Sequence, residues 1–299
     1  MHTLEKAKAN PVETTRLSWA LGAEVHGVDL SKPLSQDAIE GVRQALNENL
    51  VLVFRNQTLT PKQHVEATRQ FGQLMISPGL SRWVDPEYPE VFVVTNKRNK
   101  DGSLSETRHT ARKWHSDQSF MKVPSLGSLL YCVEKPKLGG DTMFANMYLA
   151  YDELSETMKK MLDGLQATHN YFFYSAFKDG TRAPFTEEEL AKVPPVSHPV
   201  IRTHPETKKK LIFTNESITE CINGLTESES KAILSCLFDQ VKNPRYVYRH
   251  HWQVGDVVFW DNRATQHMAP ADYDTENMDA PENHRLMRRT TIQGTEAPY

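Results

Sequence analysis

Short segments rich in β-branched and aromatic residues dominate the sequence, and this pattern constrains the fold more than any other feature. Seven such segments are separated by polar stretches: 50–54, 91–95, 127–133, 141–146, 210–214, 256–260 and 288–292. Helical patterns do not alternate regularly with them, and no glycine-rich phosphate loop follows a strand, which argues against a doubly wound parallel sheet. The pattern predicts an α+β, β-rich protein with a core of the sandwich or jelly-roll (double-stranded β-helix) kind and flanking helices.

Four segments carry apolar residues at helical spacing and predict the flanking helices: 35–46, 60–72, 151–164 and 226–241. In 60–72 and 226–241, a threonine is followed three residues later by glutamine or glutamate, the spacing of a capping box. We predict a single domain over 1–299. It contains a polar, proline-containing insertion around 174–199 that suits a lid or interface element as well as a plain surface crossing.

Composition and charge narrow the class of protein. Hydrophobic residues make up 38% and charged residues 24% of the 299 residues, and the formal net charge is −3, which argues against a general nucleic-acid binder. Three cysteines without C-x-x-C spacing predict neither a disulfide framework nor a thiolate zinc site. The N-terminal residues do not resemble a secretory signal, and no apolar run is long enough to span a membrane. We therefore expect a cytoplasmic protein without nucleic-acid or membrane partners.

The segment KWHSDQSF, residues 113–120, places His115 and Asp117 two positions apart. Along an extended backbone, side chains at i and i+2 point to the same face, so the two side chains could bind one ion. His267, in FWDNRATQHMAPADY, is the candidate for a third ligand from a distant strand. Two histidines and one carboxylate form the facial triad of non-haem Fe(II) oxygenases, which leaves three adjacent coordination positions open.

Three open positions are what a 2-oxo acid and O2 require together. 2-Oxoglutarate would chelate through one carboxylate and its keto oxygen, and O2 would take the third position. The distal carboxylate needs a planar cation for bidentate binding. Arg285 follows His267 by 18 residues, where a neighbouring strand could return it to the pocket, and Thr142 could donate its hydroxyl to the same carboxylate.

These motifs resemble the taurine/2,4-dichlorophenoxyacetate dioxygenase (TauD/TfdA) family of Fe(II)/2-oxoglutarate-dependent oxygenases. The resemblance runs from about residue 17 to the end and includes LGAEVHGVDLSKPLS, WHSDQSF, GGDTMFANMYLAYDELS, WDNRATQHMAPADYD and RLMRRTTIQG. It implies three iron ligands, two 2-oxoglutarate contacts and one contact to an anionic group of the substrate: His115, Asp117 and His267; Thr142 and Arg285; and Arg289. It also implies a homo-oligomer, either a dimer or a tetramer.

The sequence departs from the family pattern in two places. Taurine-oxidising members have a histidine just before the proline that follows F-G-x-L, but this sequence reads FGQLMISP, with Ser77 there, which argues against taurine. The link from His267 to Arg285 is several residues longer, with TENMDAPEN inserted, so the assignment of Arg285 rests on the RLMRRTTI segment. Arg288 would face away from Arg289 on a strand, and the sequence leaves open which of the two points inward.

The function predicted from these features is an Fe(II)- and 2-oxoglutarate-dependent dioxygenase. It would hydroxylate an aliphatic C–H bond of a small organic molecule, expected to be an anion, and release succinate and CO2. Two alternatives remain: a non-catalytic metal- or ligand-binding jelly roll, and the same cofactors used for desaturation or another oxidation. The loop 97–113 has six Lys/Arg against two acidic residues, and it is either a solvated loop or a lid that attracts an anionic substrate.

Overall fold

The computed structural model describes residues 12–76, 81–173, 186–274, 277 and 279–299. Fifteen strands lie within these ranges: β1 (Thr14–Arg16), β2 (Ala23–Val25), β3 (Val51–Phe54), β4 (Phe92–Thr95), β5 (Gly127–Glu134), β6 (Thr142–Asn146), β7 (Gln166–His169), β8 (Val196–Pro199), β9 (Ile201–Thr203), β10 (Lys210–Ile212), β11 (Thr219–Ile222), β12 (Val247–His250), β13 (Val257–Asp261), β14 (Thr265–Met268) and β15 (Leu286–Ile292). The same ranges contain six α-helices: α1 (Gln36–Asn49), α2 (Pro61–Arg69), α3 (Met147–Asp152), α4 (Glu156–Leu162), α5 (Glu187–Ala191) and α6 (Glu227–Val241).

The strands form one large sheet and three smaller ones. The large sheet has seven strands in the order β1-β2-β3-β13-β5-β15-β4, and a three-stranded sheet has the order β12-β6-β14. The remaining described strands form the sheets β11-β7-β8 and β10-β9. Each of the seven segments predicted as strands contains a strand, so the β-rich α+β class is confirmed. Among the described helices, none has the length and apolar character needed to cross a membrane.

The predicted helix starts at 35, 60 and 226 are confirmed by their capping contacts. The side chain of Ser35 accepts a hydrogen bond from the N–H of Ala38, and reciprocal capping boxes join Thr60 to Gln63 and Thr226 to Glu229. Each contact satisfies N–H groups that the first helical turn cannot pair internally. Helices α1 and α2 pack on the large sheet, and α6 packs on β11.

The prediction of one helix over 151–164 is wrong. Two short helices, α3 and α4, occupy this region, and α3 begins at Met147. Ser155 has an extended backbone, and its side chain accepts a hydrogen bond from Met158 N–H, so it caps α4 and interrupts the helical run. A serine favours this capping geometry over a helix interior because its oxygen competes with the backbone for N–H groups.

The sequence pattern missed eight short strands, among them β12 and β14, which flank β6. Each is three or four residues long and contains polar or charged residues, so it lacks the continuous apolar run of the predicted segments. Part of the predicted insertion around 174–199 lies outside the described residues, at 174–185. The described part contains α5 and β8, and β8 pairs with β7.

Two hydrophobic clusters fill the spaces on either side of the large sheet. One contains Val258 and Leu130 of the large sheet together with Phe144 of β6, so it lies between the large sheet and the sheet β12-β6-β14. The other packs Leu52 and Phe259 of the large sheet against side chains of α1 such as Leu46. The residues predicted to bind the metal and 2-oxoglutarate lie together in the space between the large sheet and the sheet β12-β6-β14.

A double-glycine turn before β6 shapes one end of that space. Gly139 and Gly140 have φ values of 70° and 76°, and the N–H of Gly140 donates to Asp272 Oδ1 at 2.9 Å. A Cβ at Gly139 would overlap the backbone carbonyl oxygen of Asp272. A glycine is therefore required at 139 both by the backbone conformation and by the close approach of a second chain segment.

We expect Gly139→Ala to lower the free energy of unfolding by about 2–4 kcal/mol, because the left-handed conformation and the overlap both oppose the methyl group. Gly164→Ala is the matched control, since Gly164 has a φ of 77° and open space around its Cβ position. In the control, the free energy of unfolding should fall by only about 1–2 kcal/mol. Denaturant unfolding measures both, and equal losses would show that the contact with Asp272 is unimportant.

Candidate metal centre and active site

A backbone bridge brings His115 beside His267. The two residues form an isolated antiparallel bridge in which each N–H donates to the other's carbonyl, at 3.1 and 2.8 Å. Their ring centroids are 4.2 Å apart. The expected extended strand through Asp117 is not present, because the chain enters a turn after the bridge and Gln118 has a φ of 57°. This turn carries the carboxylate of Asp117 to the two imidazoles.

The three predicted ligand side chains come together as one group. One ligand atom from each of His115, Asp117 and His267 lies within 4.8 Å of the others, and all three residues are buried. Asp117 Oδ1 is 3.9 Å from His115 Nε2, and its Oδ2 is 4.0 Å from His267 Nε2. Within the described residues, this is the only group of three or more His, Cys, Asp or Glu side chains that cluster closely enough to hold a metal ion.

The two imidazoles are oriented by different means. His115 Nδ1 lies 2.8 Å from the carbonyl oxygen of Lys113, so this nitrogen carries the proton and Nε2 keeps its lone pair for the site. His267 is held by packing between the rings of Trp260 and Phe144, at centroid distances of 4.8 and 6.0 Å. Burial is the main cause that lowers the pKa of His115, and it lowers the pKa of His267 well below its ordinary value.

The carboxylate of Asp117 stays ionised although it is buried. Burial opposes its charge, but nearby positive charge, chiefly that of Arg289, outweighs that effect and lowers the pKa of Asp117 to about 2. Arg289 Nη1 donates to Oδ1 at 2.6 Å, and the hydroxyl of Ser128 donates to Oδ2 at 3.1 Å. Two neutral imidazoles and one carboxylate are thus available together.

Arg285 and Thr142 lie in the same pocket. Among the described residues, the guanidinium of Arg285 makes one hydrogen bond, from Nε to the carbonyl oxygen of Gly140 at 3.3 Å, and burial lowers its pKa. Its terminal nitrogens therefore remain available to an anion. Thr142 Oγ1 accepts from the indole N–H of Trp252 at 3.0 Å, so the threonine's own proton is left for another acceptor.

The direction of β15 decides between the two adjacent arginines. Arg289 lines the pocket with Arg285, whereas Arg288 does not. The next residue on the outer face, Thr290, contacts His64 of α2, so the outer side of β15 packs on that helix. The question that the sequence left open is settled in favour of Arg289, which also lies 4.9 Å from the ring centroid of Phe92.

The rest of the pocket wall is mostly apolar: Phe92, Val94, Phe120, Leu130, Tyr171, Ile218 and Trp260. Thr110 and Ala111 of the loop 97–113 also line it, and Ala111 O accepts from Ala269 N–H at 2.7 Å. The end of this loop is thus part of the pocket wall next to β14. Ser77, whose identity argued against taurine, lies outside the described residues, as does part of TENMDAPEN.

Sequence reasoning missed three polar residues that support the site. Ser128 holds Asp117, Trp252 holds Thr142, and Asn262 contacts both Asp117 and Ser128. Asn262 was visible within the motif WDNRATQH, but nothing in the spacing of that motif shows which way an amide will point. Ser128 lies in a strand segment that was recognised only for its apolar residues.

Comparison with known proteins identifies the family. The family model described as taurine catabolism dioxygenase TauD, TfdA family matches residues 13–291. The chain belongs to this family. It is 34% identical over 281 residues to the alpha-ketoglutarate-dependent 2,4-dichlorophenoxyacetate dioxygenase of a Burkholderia species, covering 90% of each chain. It is 32% identical over 302 residues to an alkylsulfatase of Acinetobacter baylyi, covering 98% of this chain and 89% of the relative.

Solved structures agree with this assignment. A taurine dioxygenase from Burkholderia xenovorans superposes with a TM-score of 0.76 at 33% identity, covering 96% of this chain and 92% of that one. The structure of AAD-2 in complex with Mn(II) and N-oxalylglycine gives a TM-score of 0.79 at 29% identity, covering 96% and 99%. The jelly-roll fold is confirmed, and this TauD/TfdA family member is an alpha-ketoglutarate (2-oxoglutarate)-dependent dioxygenase. The alternative of a non-catalytic jelly roll is therefore not supported.

We expect the affinity of the site for Co(II) to stay nearly constant from about pH 7 to about pH 6. Histidine binds a metal only as neutral imidazole, and the lowered pKa values mean that protons begin to compete only below the range of an ordinary histidine, about 6.5. Equilibrium titration of the protein with Co(II) at several pH values measures this. A steady loss of affinity that already begins near pH 6.5 would contradict it.

Proposed function

We propose that this TauD/TfdA family member uses Fe(II), O2 and 2-oxoglutarate to hydroxylate an aliphatic C–H bond of an apolar organic anion. The observation that carries the proposal is the convergence of His115, Asp117 and His267 in a buried pocket that also contains Arg285 and Arg289. When bound, iron with O2 and 2-oxoglutarate supplies the oxidising chemistry, and 2-oxoglutarate leaves as succinate and CO2.

The donor set fits Fe(II). Two imidazole nitrogens and one carboxylate oxygen are the ligands of the facial triad, and their charge of minus one suits a divalent cation. His115 Nε2 is fixed as the free nitrogen by the hydrogen bond of Nδ1 to Lys113. His115, Asp117 and His267 would thus hold the metal on one side and leave the pocket side open.

Arg285 and Thr142 support binding of 2-oxoglutarate. The distal carboxylate of this cosubstrate would have to leave water, and an unpaired carboxylate in a β-core is costly. Arg285 offers terminal N–H groups that no described residue uses, and Thr142 offers a hydroxyl proton. A guanidinium remains charged even when burial lowers its pKa, so it suits a permanent anion anchor.

Arg289 and the apolar wall support an anionic substrate with an apolar body. Arg289 lines the pocket, and among the described residues its guanidinium makes one hydrogen bond, from Nη1 to Asp117, so it keeps terminal N–H groups for an anion. Within the described pocket lining, Asp117 is the sole carboxylate, and it is assigned to the metal. An ammonium group of a zwitterionic substrate would have no free carboxylate as a partner there, whereas aryloxyalkanoates and alkyl sulfates would match both features.

We expect Arg285→Gln to weaken 2-oxoglutarate binding by about one to three orders of magnitude, because charge-assisted hydrogen bonds worth roughly 1.5–3 kcal/mol each are lost. Pyruvate, which lacks the distal carboxylate, should lose far less affinity, and Co(II) binding should survive. Paired titrations of wild type and variant with each 2-oxo acid make the comparison. If both acids lose affinity equally, another residue holds the distal carboxylate.

The substrate class is tested with a panel of aryloxyalkanoates, alkyl sulfates, sulfonates and amino acids, scored by substrate-stimulated succinate release. We expect apolar monoanions to stimulate release, and taurine and other zwitterions to do so weakly. Arg289→Gln should raise the KM of the best substrate by about tenfold or more, because a charge-assisted contact is lost. Arg288→Gln, one residue away on the opposite face, is the matched control and should leave that KM unchanged. Preference for an uncharged or zwitterionic substrate would overturn the assignment.

A further inference from the structure

A chain of buried hydrogen bonds links the turn between β13 and β14 to the carboxylate of Asp117. Asn262 Nδ2 lies 3.1 Å from Ser128 Oγ, and Ser128 Oγ lies 3.1 Å from Asp117 Oδ2. On its other side, Asn262 Oδ1 lies 2.8 Å from Trp260 Nε1 and 3.3 Å from the backbone nitrogen of Asp117. Ser128 and Asn262 are both buried.

The chemistry of the end groups fixes the direction of every hydrogen bond in this chain. An indole N–H and a backbone N–H can only donate, so Asn262 must present its oxygen to Trp260 and Asp117. Its NH₂ group therefore faces Ser128 and donates to it. The ionised carboxylate of Asp117 can only accept, so Ser128 must give its single proton to Oδ2. The side chains of Asn262 and Ser128 thus have one arrangement that satisfies all partners.

The same asparagine also fixes the backbone around the metal ligands. Its backbone carbonyl oxygen accepts from the hydroxyl of Ser116 at 2.6 Å, and Ser116 lies between His115 and Asp117. The Trp260 indole that Asn262 holds packs against the ring of His267. Asn262 therefore has contacts that bear on all three residues of the triad, although it touches none of their ligand nitrogens.

We propose that Asn262 and Ser128 are positioning residues that fix the orientation of the Asp117 carboxylate at the metal site. Ser128 donates to Oδ2 and Arg289 Nη1 donates to Oδ1 at 2.6 Å, so a turn of the carboxylate would break these contacts. A carboxylate that turned to bind through both oxygens would fill one of the positions that a 2-oxo acid needs. The inference rests on the proposed function, because it assigns a purpose to the fixed orientation of a metal ligand.

The test compares wild type with Ser128→Cys and Ser128→Ala. Cysteine is close to serine in size but a weak donor, and alanine has no donor. We expect Co(II) affinity to be lower in Ser128→Cys than in wild type and lowest in Ser128→Ala, which should lose about 10–100-fold. Removal of a residue that orients a metal ligand typically has an effect of this size. In the metal-loaded variants, the affinities for 2-oxoglutarate and for pyruvate should fall by the same factor. Both acids would chelate the metal, and the substitution disturbs the coordination position that they share. Asn262→Asp, which cannot donate to Ser128, should lower Co(II) affinity too.

Ser230→Ala is the control for a merely structural effect. Ser230 is buried, and its hydroxyl accepts from Ile222 N–H at 2.8 Å, on α6 and away from the pocket lining. This variant should lose stability but keep wild-type Co(II) and 2-oxo acid affinities. Wild-type affinities in Ser128→Ala would overturn the positioning role while leaving the proposed function intact. Failure of the wild-type protein to bind one Co(II) per chain would overturn the proposed function, and this inference with it.

Discussion

The carboxylate of Asp117 is buried and negatively charged, and the neighbouring side chains of the pocket compensate that charge. An unpaired carboxylate in the interior would be costly. Here the guanidinium of Arg289 and the hydroxyl of Ser128 each hold one of its oxygens, so the carboxylate remains ionised. The two nearby imidazoles stay neutral because burial disfavours their protonation. A divalent cation at this point would add positive charge to the pocket, which suits the carboxylate of a chelating 2-oxo acid.

The two facing sheets contribute different residues to the pocket. His267 on β14 and Thr142 on β6 come from the sheet β12-β6-β14. Of the two pocket arginines, Arg289 lies on β15 and Arg285 immediately precedes it. Arg285 and Arg289 are four residues apart, which corresponds to about 13 Å along a strand. The strand thereby separates the proposed cosubstrate anchor from the proposed substrate contact, with the triad beside them. A strand provides this spacing more rigidly than a loop would.

The apolar wall limits what the site can accept. Phe120 and Tyr171 pack with ring centroids 4.3 Å apart, and together with Phe92 and Ile218 they form a small hydrophobic cluster that lines the pocket. Burial of an apolar substrate body there contributes favourable free energy in proportion to its area. In the proposed function, Arg289 would orient the charged end of such a molecule, so shape and charge would select for the same kind of compound.

The sequence alone predicted seven of the fifteen described strands, three of the four helix starts and the three candidate metal ligands that the structure brings together, because these depend on local chemistry. Capping boxes at Thr60 and Thr226, β-branched runs and the H-x-D step are read within a few residues. What only the tertiary structure decided is how distant segments meet. The backbone bridge between His115 and His267, the contact of Arg289 with Asp117 and the hydrogen bond from Asn262 to Ser128 each join segments more than a hundred residues apart. Their geometry follows from sheet register and from the satisfaction of buried polar groups, and neither is encoded in any short stretch of the chain.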